Sequence, residues 1–538
     1  MPAAELNAAF RGYGDAGRQW TGGSGTTSVV LPDGRVVWLF SAVFLGTVDP
    51  DGSRPASSPL ISNAMVVQTG TDLAETRHGG SSEAPRALVT PDEPDEFLGV
   101  GDAVVESGEL RVIYHRYRRG SPRTLDFVRT GVSLAKFALP SLDLGEVTDL
   151  PLDSGVIWGS AITPDGAHTY VYGTSSAPGR MKFAHVARAA AGALDGPWEF
   201  WTGSAWSSDP GAAGRLLSGV GAGFSVQRVE GEYVLVTLET NLVFDAQLVA
   251  YRSPTPTGPF AGPIPLFTAP EATPGTTTVV CDAKLHPGQA APSALLVSYN
   301  VNSLEFADII ADSRLCRPRF VDVAWPPPVP AADPPAAPDG LAVTGRDDYA
   351  DLTWNPVSGA VAYRVHQRDV TGGQTHFARL PLPVTTTGMR ASLLIPGHRY
   401  EFKVSAVDAG SEGPAGDIGT VTPQSTRTAA EVIGGAGLPD VVADSYIARL
   451  RGEGAQRERV RSWSEQIVAQ AGGTLDSVFV SVLQGFAATI TEAQAINLAA
   501  HPDILDVEQD AMVYALDRAD QSKAASTSAG VSPKSARS

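Results

Sequence analysis

The sequence predicts a mainly β, multidomain protein: a five-bladed β-propeller, then a β-sandwich, then a small α+β domain. Three observations carry this reading. A hairpin pattern returns five times before residue 325, a proline-rich stretch follows at 326–338, and the apolar periodicity changes near Asp444. The expected domains are 1–325, 339–423 and 444–516, with linkers at 326–338 and 424–443 and a polar, disordered tail at 517–538.

Size and composition set the frame. At 538 residues the chain is too long for one core. A net charge of −18 leaves no excess of Lys or Arg to neutralise phosphates, which argues against nucleic-acid binding. With 56 Gly, 41 Pro and only 18% charged residues, the composition is that of a turn-rich, soluble protein. No apolar run approaches the roughly 20 residues of a membrane span. The N-terminal MPAAELNAAFRGYGDAG lacks the basic and apolar regions of a signal peptide. Either the protein stays inside the cell or its signal is absent from this chain. Cys281 and Cys316 are badly spaced for zinc and are either one disulfide or two buried thiols.

The first hairpin runs from Trp20 to Gly46. A polar turn, Gly22-Gly23-Ser24-Gly25, leads into an apolar run, and Pro32-Asp33-Gly34-Arg35 supplies the turn before a second run, Val36–Phe40. Later copies span Phe97–Tyr117, Ile157–Ser176, Ser218–Glu239 and Thr276–Ser303. Four of the five turn on a single Gly (Gly34, Gly108, Gly166, Gly231), and the fifth has a longer turn region. Five such units suit a propeller of four-stranded blades, whose inner strands would line a central channel. The rival, a large β-sandwich or a double domain, would not require a repeated hairpin.

These residues also carry a resemblance. WTGG.G..S..LPDGR..WLF, GDAVV, WG.A...DG..TYVYG, FSV...G.YVLVT.E and KLHP...LLVSYNVNS resemble an uncharacterised family of bacterial five-bladed propellers, itself similar to arabinanase-like glycoside-hydrolase propellers. The resemblance implies a carbohydrate in the central funnel. Glycosidases of this kind need paired carboxylates. Two places where the related propellers carry acids hold Ser24 and Ala42 here, and neither exchanges a proton near neutral pH. Remaining candidates for a hydrolase are Asp102, Glu239 and Asp282, each of which could equally pack a blade or cap a turn. For binding, the expected glycan contacts are Trp20, Ser24, Asp102, Trp158, Glu239, His286, Tyr299 and Asn300. The alternative for the aromatics, Trp198, Trp201 and Trp206 included, is packing between blades. HExxH, Walker A and GxSxG motifs are absent, so no metal or other cofactor is expected.

Beyond the spacer, Ala350–Val357, Ala362–Asp369, Ala391–Ile395 and Tyr400–Asp408 alternate as short strands, with Trp354 and Tyr363 where two sheets meet and Tyr400 at a corner. This resembles a fibronectin type III module, usually a spacer. From Asp444 the order changes to strand, helix, strand, strand, helix, strand, a ferredoxin-like βαββαβ unit. Val460, Trp463, Ile467 and Ala471 fall at helical spacing, and Thr491 is an N-cap. YIARL, VLQGFAATIT, EAQ...L..HP and LDVEQD resemble the propeptide, or inhibitor domain, of subtilisin-like proteases. The resemblance implies that the sheet packs on a protease while Val513, Tyr514, Ala515 and Leu516 mimic a substrate. Such a propeptide ordinarily precedes its protease, and no Asp/His/Ser protease domain lies in this chain.

The expectation is therefore a secreted carbohydrate-binding adaptor with a degenerate glycosidase site, its C-terminal domain docking a protein partner. The alternatives are an active glycoside hydrolase and a subtilisin inhibitor acting in trans. The first predicts two carboxylates about 5–10 Å apart across the funnel.

Overall fold

The computed structural model describes residues 1–511 except 18, 120–126, 151, 153, 177–181, 242–245, 272–276, 291–292, 328–333, 381–382, 409–410, 437–440, 452–456, 480–483 and 502. The expected Val513–Leu516 mimic and the tail lie outside these. The protein is mainly β, and it divides into two compact units, residues 1–424 with 454–459, and the remainder.

In the first unit, five antiparallel sheets follow one another in chain order. Their first strands are Gln19–Val30, Glu96–Glu106, Ile157–Asp165, Ser225–Val229 and Thr278–Leu285. Each sheet then continues through consecutive antiparallel hairpins, the third adding a short strand, Leu217–Ser218, beside its Lys182–Ala190 strand. The turns are set by local chemistry. Ser107-Gly108 and Glu230-Gly231 take positive φ at both positions (52° and 78°, 50° and 90°), the geometry of a two-residue hairpin whose twist matches its strands. Each first strand touches the first strand of the next sheet, and that of the fifth touches that of the first. The contacts run in a circuit.

The circuit closes without a shared strand. A helix at Ala3–Asp15 buries Leu6, Phe10 and Tyr13. Phe10 packs edge-on against Trp20 and Trp38 at 5.4 and 5.2 Å and stacks on Phe320 of the fifth sheet at 5.4 Å. Asn7 and the Phe320 backbone exchange two hydrogen bonds, of 2.8 and 3.0 Å. Buried Arg54 donates to the carbonyls of Thr21, Ile309, Asp312, Ser313 and Leu315, tying the first sheet to the segment between the last two strands of the fifth. Cys281 and Cys316 are free thiols.

A fibronectin type III-like sandwich completes this unit. One sheet is built on Ala342–Arg346, Tyr349–Thr353 and Gly388–Ala391, the other on Ala362–Asp369 and Tyr400–Val407 with shorter partners. Trp354 meets Tyr363 edge-on at 5.4 Å between them, and the Tyr400 hydroxyl accepts the Ile395 N–H at 2.9 Å, forming the expected corner. The module does not hang free as a spacer. Thr375 exchanges hydrogen bonds with Ser218, Gln374 donates to the Asn241 carbonyl, and Gln247 donates to that of Arg379. It is docked on the rim of the third and fourth sheets.

The second unit is a five-stranded sheet in the order 433–434, 504–511, 441–450, 485–489, 474–479, with helices at Arg457–Ala471 and Glu492–Ala499. Apart from the short added strand Ile433–Gly434, parallel to Ile504–Ala511, this is the expected βαββαβ order. Tyr446, Ala448, Phe486, Val507, Val460 and Ile467 are buried in its core. The intervening strand positions carry polar pairs instead: Arg449 with Asp506, Ser445 with Asp510 at 3.1 Å, and Thr489 with Asp476 at 2.9 Å. One face of the sheet is therefore a core, and the other carries these polar pairs around half-buried Ile447, Ala487 and Phe479.

Candidate functional site

The first strands supply small and polar residues where five sheets converge, and a cavity of about 410 Å³ lies there. All five contribute: Thr27–Val30, Asp102–Val105, Ile162 with Pro164, Ser225 with Gln227, and Lys284 with Leu285. Its walls are largely aliphatic and its polar groups few.

Lys284 is the central one. It is 4% exposed and donates to the carbonyls of Ser160 at 2.7 Å and Gly101 at 3.4 Å, so one side chain links three inner strands. Among the described residues no carboxylate lies within ion-pairing distance of it. Burial pulls its ammonium below the usual lysine range, opposed by the more distant charges of Asp102 and Asp282. Asp102, also buried, accepts the Ile162 N–H at 2.7 Å. Burial pushes its carboxyl above the usual range against the pull of Lys284 and two backbone N–H groups.

The other residues singled out from sequence lie as follows. Trp20 and Trp158 are fully buried. Trp20 packs with Phe40 at 5.2 Å, and Trp158 with Phe200 at 5.3 Å. His286 bridges Ser28 Oγ (2.8 Å) and Ser298 Oγ (2.7 Å), and burial lowers its pKa to about 3. The Tyr299 hydroxyl donates to Glu271 at 2.9 Å. Asn300 donates to the Gly23 carbonyl at 3.0 Å and accepts from Thr26 at 3.2 Å. Ser24 is half-buried, 3.5 Å from Asn302 Nδ2, and Ala42 is exposed. Asp282 accepts the Gly25 N–H at 3.2 Å in a left-handed backbone conformation, φ 56°. Of the three candidate carboxylates, Asp102 lines the cavity.

Glu239 has a different setting. It is 2% exposed, and His376 of the sandwich lies over it, Nε2 at 3.0 Å from Oε2. The same Nε2 is 2.6 Å from the Tyr251 hydroxyl, which donates to Glu239 at 3.3 Å. The fourth-sheet carboxylate is thus an anchor for the docked module. Sequence reasoning missed Lys284, Gln227 and His376. Asp282, Lys284 and His286 alternate in DAKLHP, a period of two that could have placed Lys284 beside its neighbours on the inner strand. No short-range signal pairs His376 with Glu239.

Residues 7–326, more than half of the chain, match the family described as a domain of unknown function, DUF5005. The chain belongs to that family. Residues 445–516 match the peptidase inhibitor I9 family. Proteinase R of Parengyodontium album is 35% identical over 74 residues, which are 14% of this chain and 18% of that protein, so the chain spans under a fifth of that relative's length. A crystal structure of a Bacteroides ovatus protein provisionally described as a hydrolase aligns with a TM-score of 0.51 at 22% identity, covering 60% of this chain and 89% of that one. That likeness is one of fold. An Fn3-like protein of Clostridium thermocellum covers 18% of this chain and 97% of its own, with a TM-score of 0.16 and 27% identity. Among the described residues no cluster of His, Cys, Asp and Glu could hold a metal, and no helix is long and apolar enough to cross a membrane.

Proposed function

We infer that the chain is a secreted binding protein with two recognition ends. The C-terminal unit docks on a subtilisin-like protease in trans, and the circuit of sheets is a five-bladed β-propeller with a ligand site on its axis. The observation that carries this reading is the C-terminal sheet. Its residues 445–516 match the peptidase inhibitor I9 family, and the sheet face opposite the core carries the pairs Arg449–Asp506, Ser445–Asp510 and Thr489–Asp476 around half-buried Ile447, Ala487 and Phe479, a mixed polar and apolar surface suited to a protein partner. The rest of the described chain is taken up by the DUF5005 region and the sandwich.

At the other end, the propeller reading is supported by the five sheets in chain order and the circuit of first strands. A carbohydrate is the ligand implied by the family resemblance. Among the eight residues expected to contact it, Asp102 alone lines the axial cavity. Glu239 is covered by His376, which removes it from a carboxylate pair. Binding is therefore preferred to glycoside hydrolysis.

The test is co-precipitation of a secreted subtilisin-like protease with the full chain and with a chain ending before Asp444. Capture lost on truncation supports the reading, and equal capture by both overturns it. Removal of 513–516 then separates the two modes. Lost inhibition with retained binding defines an inhibitor, and binding without inhibition by either form defines a docking adaptor.

A further inference from the structure

We propose that the axial cavity binds a small carboxylic acid with an apolar body, its carboxylate on Lys284 and its hydrocarbon against the aliphatic walls. The inference rests on the axial cavity being a ligand site, and it names the ligand class.

The argument is an inventory of hydrogen-bonding capacity. Thr27 Oγ1 donates to the Gly101 carbonyl at 3.3 Å, Ser28 Oγ is held by His286, and Ser225 Oγ accepts the Leu285 N–H at 2.8 Å. The lining hydroxyls already have protein partners. Lys284 retains one ammonium proton beyond its two carbonyls, Asp102 retains acceptor capacity beyond its backbone donors, and the Gln227 side chain has no partner among the described residues. With the Ser225 O–H and the Thr27 lone pairs as the remaining hydroxyl capacity, this set meets one anionic head more fully than the many hydroxyls of a sugar, each of which would lose a water on entry.

The walls agree. Val29, Val30, Val104, Val105, Ile162 and Leu285 are aliphatic, and no described lining residue is aromatic, so a pyranose ring would have nothing to stack on. The charge also fits. Asp102 and Asp282 act on this buried ammonium only from beyond ion-pairing distance, so a bound carboxylate would be the one anion in direct contact with it, through a charge-assisted hydrogen bond. A volume of about 410 Å³ suits a branched-chain or aryl acid.

The experiment is calorimetric titration of the full chain with 3-methylbutanoate and benzoate, beside their uncharged amides, and with arabinose and galacturonate. The expected result is binding of the acids, at least about tenfold tighter than the amides, with neither sugar competing. Lys284→Met should abolish that preference. Val30→Trp, placed at an exposed position of the mouth (41% exposed), should weaken the acids by a similar factor and covers the case in which the lysine variant does not fold. Equal affinity for acid and amide, or full affinity in both variants, overturns the proposal. Sugar binding that Val30→Trp blocks keeps the cavity as a site and overturns the acid. No binding by any compound overturns the site itself, and protease capture, read separately, is untouched.

Discussion

The seam and the axis of the five-sheet unit each bury a cation, and they treat it differently. At the seam, Arg54 is 2% exposed and its guanidinium meets five carbonyls. Burial brings its pKa down to about 10, which still leaves it charged at neutral pH. At the axis, Lys284 meets two carbonyls and faces open volume. A planar fork with five donors can saturate itself on backbone oxygen, whereas an ammonium with three cannot fill the same role. The satisfied cation is structural. The unsatisfied one marks the place where something else binds.

That contrast is broken most directly at the seam. Arg54→Met leaves five carbonyls without their donor and should destabilise the first unit by about 4 kcal/mol, read as a fall in the urea midpoint of its transition. Arg54→Lys should recover little, because three donors cannot reach five acceptors. A loss below about 1 kcal/mol would mean that the Phe10 cluster alone closes the circuit.

The docked sandwich comes next. His376→Ala removes one of the partners of Glu239 inside a closed contact, leaving the Asn241 N–H and the Tyr251 hydroxyl, and should cost about 2 kcal/mol of docking. Whole-chain melting mixes several domains, so the sharper reading is hydrogen exchange over Gly372–Arg379 and Glu239–Asn241. Faster exchange there, with the inner strands unchanged, is expected. Unchanged exchange would show that Thr375 and Gln247 hold the module by themselves.

Acid sharpens the picture of the interior of the five-sheet unit. Burial lowers His286 and His115 to about 3 and His185 to about 4. Each folded pKa lies below the unfolded value of about 6.5, so the unfolded chain binds the extra proton. The stability from these neutral imidazoles is complete above about pH 6.5 and falls as pH drops toward 4, by about 1.4 kcal/mol per pH unit for each. His286→Gln, whose amide can still bridge Ser28 and Ser298, should flatten that slope by one proton. An unchanged slope would mean that His286 takes up its proton in the folded state.

Much of this architecture was legible in the sequence, and the site much less so. Turns such as Pro32-Asp-Gly and Glu230-Gly231 encode their own geometry, and alternation along Tyr446–Leu450 encodes which face is core. Those signals act within a few residues. Trp20 and Trp158 read as stacking platforms because each precedes an inner-strand candidate. Phe10, 10 positions upstream of Trp20, and Phe200, some 40 beyond Trp158, bury them instead. Glu239 meets His376 across 137 positions and two folds. Pattern gives the strands and their faces, while the partners of a side chain are decided by which sheets meet.

The smallest predicted effect tests whether the two compact units unfold separately. Thr491 caps the helix Glu492–Ala499, its hydroxyl accepting the Gln494 N–H at 3.3 Å while the Gln494 side chain accepts the Thr491 N–H at 2.7 Å. This reciprocal pair satisfies two donors that the helix start would otherwise leave open. Thr491→Ala should cost about 1 kcal/mol, confined to the C-terminal unit. Its amides, Tyr446–Ala448 and Phe486–Ala488 among them, should exchange about fivefold faster, since exchange through unfolding of a unit tracks that unit's own stability. Thr21, Gly101 and Ser160, in the other unit, should not change. Acceleration in both would join the two units into one cooperative body, and a ligand on the axis could then alter how the C-terminal sheet meets its partner. With separate cooperativity, binding in the first unit would leave the stability of the C-terminal unit unchanged.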